Sequence, residues 1–169
     1  AGLSRIHAGL ESGDDEVLKR IRKGTNAEEQ IRAGKMVLEA GIELSLYIVL
    51  GIGGKERSGE HARETARIVT EISPHFTRLR TFVPKIHTPL LEDVKNGAFE
   101  MPGPHGILRE TAKILEKIES TTYLTSDHYT NYIDLEGRLP DDRRKLLDRI
   151  AKAIEREEKD FRPFFVGNQ

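Results

Sequence analysis

The sequence predicts an α/β fold in which parallel strands are joined by crossover helices. Three observations predict it. Strand and helix patterns alternate through the first half of the chain, the connections between strands are long enough to carry helices, and each strand divides its side chains into an apolar and a polar set.

Residues 3–10 read as a short strand that enters a glycine-bounded turn at Glu11-Ser12-Gly13. A helix follows over residues 15–23, with Val17, Leu18 and Ile21 on one face, and Gly24 stops it. Thr25 and Glu28 have the spacing of a capping box, so a second helix starts there, and Ile31, Val37, Leu38 and Ala40 give it an apolar face as far as Gly41. Residues 42–50 are a continuous apolar stretch with β-branched content, which predicts a second, well-covered strand. Glycines within 51–54 break that strand, and helical spacing returns over 59–72 before Ser73-Pro74. A third strand spans 76–83. Beyond it, Pro84, Pro89, Pro102 and Pro104 with Gly97, Gly103 and Gly106 predict a long irregular excursion that ends in an amphipathic helix over 107–119. Residues 121–139 show no clear period, and a last helix covers 141–158 on Leu146, Leu147, Ile150 and Ile154.

A chain of 169 residues is the size of one domain. Its 27 basic and 28 acidic side chains nearly cancel, which removes the electrostatic footprint of a nucleic-acid or membrane-surface binder and favours a small-molecule partner. No apolar run is long enough to span a bilayer, and the opening AGLSRIHAG lacks the regions of a signal peptide, so a cytoplasmic location is the default expectation. Cysteine is absent, which excludes disulfides, thiolate catalysis and any cluster ligated by these residues.

Within the strands, alternation separates Ile6, Ala8 and Leu10 from Arg5, His7, Gly9 and Glu11. It likewise separates Leu44, Leu46, Ile48 and Leu50 from Glu43, Ser45, Tyr47 and Val49, and Arg78 and Arg80 from Leu79, Thr81 and Val83. Two readings follow: a partly solvated face with structural ion pairs, or a lumen that holds a polar ligand near the C-terminal ends of parallel strands. The turn Gly51-Ile52-Gly53-Gly54-Lys55 invites a phosphate-loop reading and fails it, because Glu56 stands where Ser or Thr is required and Val49 where the leading glycine belongs. The histidines form no compact metal motif. Asp127 and His128, with Tyr129, Asn131 and Tyr132 nearby, read either as an acid–base or substrate-contact cluster or as a hydrogen-bonded loop.

These residues also carry a family resemblance. The run 5–13, Arg-Ile-His-Ala-Gly-Leu-Glu-Ser-Gly, followed by Val17-Leu18-Lys19 and Lys23-Gly24-Thr25, resembles the fourth barrel strand and following helix of radical S-adenosylmethionine (radical SAM) proteins, in the group that includes Elongator-type, methylthiotransferase and coproporphyrinogen-oxidase-like members. Residues 40–54 resemble the fifth strand and its glycine motif, residues 76–84 with Thr88-Pro89-Leu90 the sixth strand and its exit loop, and Ser126-Asp127-His128 through Pro140 the end of certain small members.

The resemblance implies half of a partial TIM-like (β/α)6 barrel, strands four to six, over residues 1–90, and a mostly helical C-terminal extension over 91–169. It further implies that Glu11 contacts the SAM ribose, that Lys23 holds its carboxylate and that Val49 touches adenine, with Tyr47 where some relatives carry an acidic ribose ligand. Ser12, Gly51, Arg78 and Arg80 complete the cofactor-side candidates, and Asp127, His128 and Asn131 the substrate-side ones. Missing is the Cys-x-x-x-Cys-x-x-Cys motif that binds the 4Fe-4S cluster in the family. The expectation is therefore a piece cut before its cluster-binding half. Its parent cleaves SAM with the cluster and abstracts hydrogen from an unknown substrate, while the piece itself is inactive and holds no cofactor tightly. A stand-alone ligand-binding or regulatory module with a degenerate SAM site is the alternative. The open edge of the first strand predicts either a homodimer or a fold-back of residues 121–139 over the lumen, with Tyr123, Tyr129 and Tyr132 as cover.

Overall fold

The computed structural model describes residues 2–167. Strand β1 (Arg5–Glu11) leads through helices α1 (Asp15–Arg20) and α2 (Ala27–Glu39) to β2 (Glu43–Leu50), and α3 (Gly54–Ile72) connects β2 to β3 (Phe76–Thr81). Helices α4 (Pro89–Asn96) and α5 (Pro104–Lys117) then lead to β4 (Thr122–Thr125), followed by β5 (Glu136–Leu139) and α6 (Arg143–Ile154). The strands make one sheet in the order β1-β2-β3-β4-β5, parallel from β1 to β4, with β5 antiparallel at the far edge. The predicted parallel α/β class is the observed one.

Local chemistry explains most element boundaries. The Asp14 carboxylate accepts the Glu16 N–H at 3.0 Å and caps α1. The capping box of α2 falls one residue later than the sequence spacing suggests: Asn26 accepts the Glu29 N–H at 2.9 Å, and the Glu29 carboxylate accepts the Asn26 N–H at 3.0 Å. Helix α3 begins at Gly54, ahead of the predicted residue 59, because the Glu100 carbonyl accepts the Lys55 N–H at 2.8 Å and satisfies a donor of the first turn. The predicted irregular excursion contains α4, where Thr88 is the N-cap, Pro89 occupies the first turn and Gly97 at φ 80° closes the helix.

Helices cover one face of the sheet. Leu44, Leu46, Ile48 and Leu50 of β2 pack in one cluster with Ile68, Val69 and Ile72 of α3, Ile107, Ile114 and Leu115 of α5, and Leu146 and Ile150 of α6. Of the other parity, Arg5, His7, Tyr47, Val49, Arg78 and Arg80 keep exposed or half-buried side chains, and Ser45 is fully buried. No helix is long and apolar enough to cross a membrane among the described residues.

Residues 121–139 do not fold back over the first strand. They supply β4 and β5, which extend the sheet from β3, so part of the segment read as a helical extension belongs to the sheet. Tyr123 pairs across to Phe76 and Arg138 within that sheet, and Tyr129 is 75% exposed. The C-terminal tail packs against the segment after β3 and the β4–β5 connection: the Gly167 N–H donates to the Pro84 carbonyl at 2.9 Å, and the Arg162 guanidinium donates to the Thr130 carbonyl and lies over the Tyr132 ring at 4.4 Å. Strand β1 is an edge strand with β2 as its one partner among the described residues.

Candidate functional site

A cleft of about 830 Å³ opens at the C-terminal ends of β1, β2 and β3, where parallel α/β sheets place their ligands. Glu11 lines it from the end of β1, Val49 and Ile52 from the end of β2, and Arg80 and Thr81 from β3. Thr88 and Leu90 close one side from the segment after β3, and His128, Tyr129 and Thr130 another from the β4–β5 connection.

Glu11 owes its position to a break in the ladder. The β1–β2 register shifts between Gly9 and Glu11, and Glu11 takes a left-handed backbone at φ 61°. A non-glycine residue held there carries conformational strain of about 1–2 kcal/mol, which the surrounding structure must offset. The shift turns the carboxylate back over Gly9: a Cβ at Gly9 would lie 2.0 Å from Glu11 Oε1 and 3.1 Å from Lys23 Nζ. Glycine at position 9 thus leaves room on the polar face for the Glu11–Lys23 ion pair, which closes at 3.1 Å with both side chains about one-quarter exposed.

The rest of the polar face runs down β2 and β3. Val49 pairs with Arg80, and Tyr47 with Arg78, so the first pair sits at the cleft and the second lies deeper along the strands. The Arg80 guanidinium lies over the Tyr47 ring at 4.4 Å, and the His7 ring centroid is 6.0 Å from that of Tyr47. Below them Arg5 pairs with Glu43 at 2.7 Å and covers Phe76 at 4.3 Å. Ser45 Oγ, Arg78 Nε and Thr125 Oγ1 are buried with no hydrogen-bond partner among the described residues, and all three belong to this face. Buried polar atoms are normally paired, so a face that concentrates unpaired ones is suited to a polar ligand or covering element.

Four of the sequence-predicted residues stand elsewhere. Ser12 is fully buried behind β1; its hydroxyl accepts the Asp14 N–H at 3.0 Å and is 2.8 Å from His61 Nδ1. Gly51, at φ 78°, turns its N–H toward α5 and donates to Glu110 Oε1 at 2.6 Å, and a Cβ there would meet Ile107 at 2.5 Å. Asn131 ties the β4–β5 connection to β3: its side chain accepts the Thr81 N–H at 2.8 Å and donates to the Leu79 carbonyl at 2.9 Å. Asp127 is exposed outside the cleft. His128 does line the cleft, with Nδ1 2.8 Å from the Thr130 hydroxyl; burial, and after it the Arg80 cation, lowers its pKa. The 51–55 turn closes on itself through the Gly54 N–H to the Gly51 carbonyl at 3.0 Å, and its Lys55 reaches out to pair with Glu100 in the segment before α5.

Behind the cleft floor lies a network that the sequence reading missed. Ser12 accepts from Asp14 and lies 2.8 Å from His61 Nδ1, while His61 Nε2 faces Glu110 Oε1 at 3.5 Å with no hydrogen-bond partner among the described residues. The Ser58 hydroxyl donates to Glu110 Oε2 at 2.5 Å. Burial pushes Glu110 up to about 7, against the hydrogen bonds from Ser58 and Gly51, and burial lowers His61 to about 4. Asp14, nearly buried, also receives the Arg57 fork at 2.7 and 3.0 Å, which ties α1 to α3. No local spacing announces these contacts, because each joins residues more than 40 positions apart.

Residues 1–67 match the family model of the radical SAM superfamily. Over 50 residues the chain is 42% identical to 4'-phospho-dehydrooxetanocin synthase of Priestia megaterium, a stretch that amounts to 30% of this chain and 7% of that protein. The fold superposes on the archaeal Methanocaldococcus infernus Elp3 with an N-terminal deletion at a TM-score of 0.64 and 18% identity, covering 95% of this chain and 37% of that one. At that identity the likeness is one of fold. The chain spans little more than a third of the solved relative's length and a small part of the curated one's.

Proposed function

We propose that this chain, whose first 67 residues carry radical SAM superfamily sequence, supplies the strand ends that hold the adenosyl part of SAM, for an enzyme whose 4Fe-4S cluster is bound by cysteines outside these 169 residues. The observation that carries the reading is the Glu11 carboxylate, held by a ladder shift over Gly9 at the mouth of the cleft. SAM, bound to such a cluster, supplies radical hydrogen-abstraction chemistry. Everything else falls to the chain's own side chains.

Glu11 accepts hydrogen bonds from the ribose hydroxyls, for which an ionised carboxylate has free lone pairs beyond the one facing Lys23. Lys23 keeps two ammonium donors, one of which suits the methionyl carboxylate. Val49 and Ile52 give the adenine an apolar floor. Tyr47 anchors Arg80 from below and does not replace an acidic ribose ligand. A cysteine-ligated cluster does not fit these residues, since the chain has no cysteine. A second reading, a ligand-binding module with a degenerate site, is favoured by one feature: Lys23 already occupies one Glu11 oxygen.

Calorimetry with S-adenosylhomocysteine separates the two. On the first reading the chain binds it saturably, and Glu11→Ala and Lys23→Ala each weaken binding by about 1–3 kcal/mol, the range for a lost charged hydrogen bond. Unchanged affinity in both variants would remove Glu11 and Lys23 from the site and with them the proposal.

A further inference from the structure

We propose that the cleft takes, beside the cofactor, a small polyanionic substrate such as a phosphate ester, held by Arg20, Arg22, Arg80 and Lys85. The proposal rests on reading the same cleft as the cofactor site. Its first support is charge. The whole chain is balanced, with 27 basic and 28 acidic residues, yet these four cations line the cleft with Glu11 as its one carboxylate among the lining residues. Glu11 is already matched by Lys23 at 3.1 Å. No ion pair engages any of the four cations among the described residues, although ion pairs are common over the rest of the surface.

SAM does not account for this surplus. Its sulfonium and ammonium groups outweigh its single carboxylate, so the cofactor brings net positive charge to a cleft that already has four cations without an ion-pair partner among the described residues. An anionic second ligand relieves both. Geometry adds a second support, because the two guanidiniums with aromatic neighbours are held by ring faces: Arg80 over Tyr47 at 4.4 Å and Arg20 over Phe99 at 5.5 Å. Stacking fixes a guanidinium plane and leaves its edge N–H donors free to fork onto phosphate or carboxylate oxygens. A third support lies deeper, where Arg78, on the same face of β3 as Arg80, keeps its Nε buried and without a partner among the described residues.

The cations reach the cleft from two directions. Arg20 and Arg22 come from the crossover after β1, Arg80 and Lys85 from the end of β3 and the segment beyond it, and β2 with Val49 and Ile52 lies between them in strand order. A ligand of this class is therefore compact, with anionic oxygens toward the flanking cations and the β2 surface of Val49 and Ile52 left to the cofactor. A nucleic-acid strand is the poorer match, since it calls for a basic track that continues beyond the cleft, and the chain's balanced charge provides no excess for one.

Pyrophosphate is the probe. Titrated into the intact chain at low ionic strength, it binds saturably, and Arg80→Gln and Lys85→Gln each weaken it about tenfold, as expected for loss of a charge-assisted contact. Lys95→Gln, whose lysine pairs with Glu92 outside the cleft, leaves it unchanged. Saturating S-adenosylhomocysteine does not displace it, because substrate and cofactor must occupy the site together. Absence of saturable binding, equal affinity in all three variants, or mutual exclusion with S-adenosylhomocysteine overturns the proposal, the last by giving the cations to the cofactor. Tighter binding of an oligonucleotide that increases with its length overturns it in favour of a nucleic acid. Pyrophosphate binding through these residues without any binding of S-adenosylhomocysteine supports the anion site and overturns only the cofactor reading.

Discussion

Replacing Glu110 by glutamine should make the protein more stable at pH 8 than it is now, relative to pH 5. The side chain is buried beneath the cleft floor, and its pKa is raised from 4.5 to about 7. Between those two values the folded state holds a proton that the unfolded state has released. The stabilising contribution is therefore complete below pH 4.5 and is lost as pH rises through about 7. A shift of this size corresponds to roughly 3 kcal/mol at 1.36 kcal/mol per unit. His61 acts in the opposite direction: its pKa is lowered from 6.5 to about 4, so its contribution is present above pH 6.5 and lost as pH falls through about 4. In their common range these two slopes largely cancel. Glutamine keeps the shape, accepts the Gly51 N–H through its carbonyl and can donate to Ser58, but cannot titrate. Urea unfolding at pH 5 and pH 8 gives the assay. The difference in stability between Glu110→Gln and the native protein should move by about 3 kcal/mol in favour of the variant over that interval. A difference that stays constant with pH would refute the account of a neutral, buried Glu110.

Three further outcomes follow from the geometry. Gly9→Ala places a Cβ against the mobile ends of Glu11 and Lys23, so stability should change by no more than about 1 kcal/mol, while S-adenosylhomocysteine binding falls about tenfold through displacement of the carboxylate; retained affinity would show that the Glu11–Lys23 arrangement is not the binding form. Asn131→Ala, which removes the bonds to Thr81 and Leu79, should cost about 2 kcal/mol in urea unfolding, and a loss of ligand affinity without that cost would restore Asn131 to a substrate role. Among the described residues the outer edge of β1 has no partner, so sedimentation should show concentration-dependent association with slowed hydrogen exchange at Ile6 and Ala8; a strict monomer with fast exchange there would leave the edge open.

What the sequence disclosed was mainly periodic. The alternation of Leu44, Leu46, Ile48 and Leu50 against Glu43, Ser45, Tyr47 and Val49 identified the covered and open faces of β2 correctly, because side chains of a strand point to opposite sides whatever the tertiary context. β4 and β5 escaped notice: four residues each are too short to show a period, and pairing with β3 creates them. Helix α4 was legible in Thr88, Pro89 and Gly97, but proline density drew that stretch toward an irregular reading. At the site, Glu11, Val49 and Arg80 came together at the cleft as their places near strand ends suggested, and His128 joins them from a segment whose strands the sequence did not reveal. Ser12 and Gly51 share those motifs, yet their polar groups turn to His61 and Glu110, since a ladder shift and a left-handed turn redirect the chain in ways that spacing alone does not encode. Gly9 was the overlooked signal, a glycine inside a strand that marks a close approach of other groups.

On the proposed function, the adenosyl group of SAM rests on the ends of β1 and β2. Amide chemical shifts of the labelled chain, followed during titration with S-adenosylhomocysteine, test it most directly. The account predicts saturable shifts concentrated at Glu11, Lys23, Val49 and Ile52, with little change at Ser73, Thr122 and Arg138 around the separate surface cleft near the opposite ends of the strands. Shifts confined to that second cleft, or none at any concentration, would contradict it.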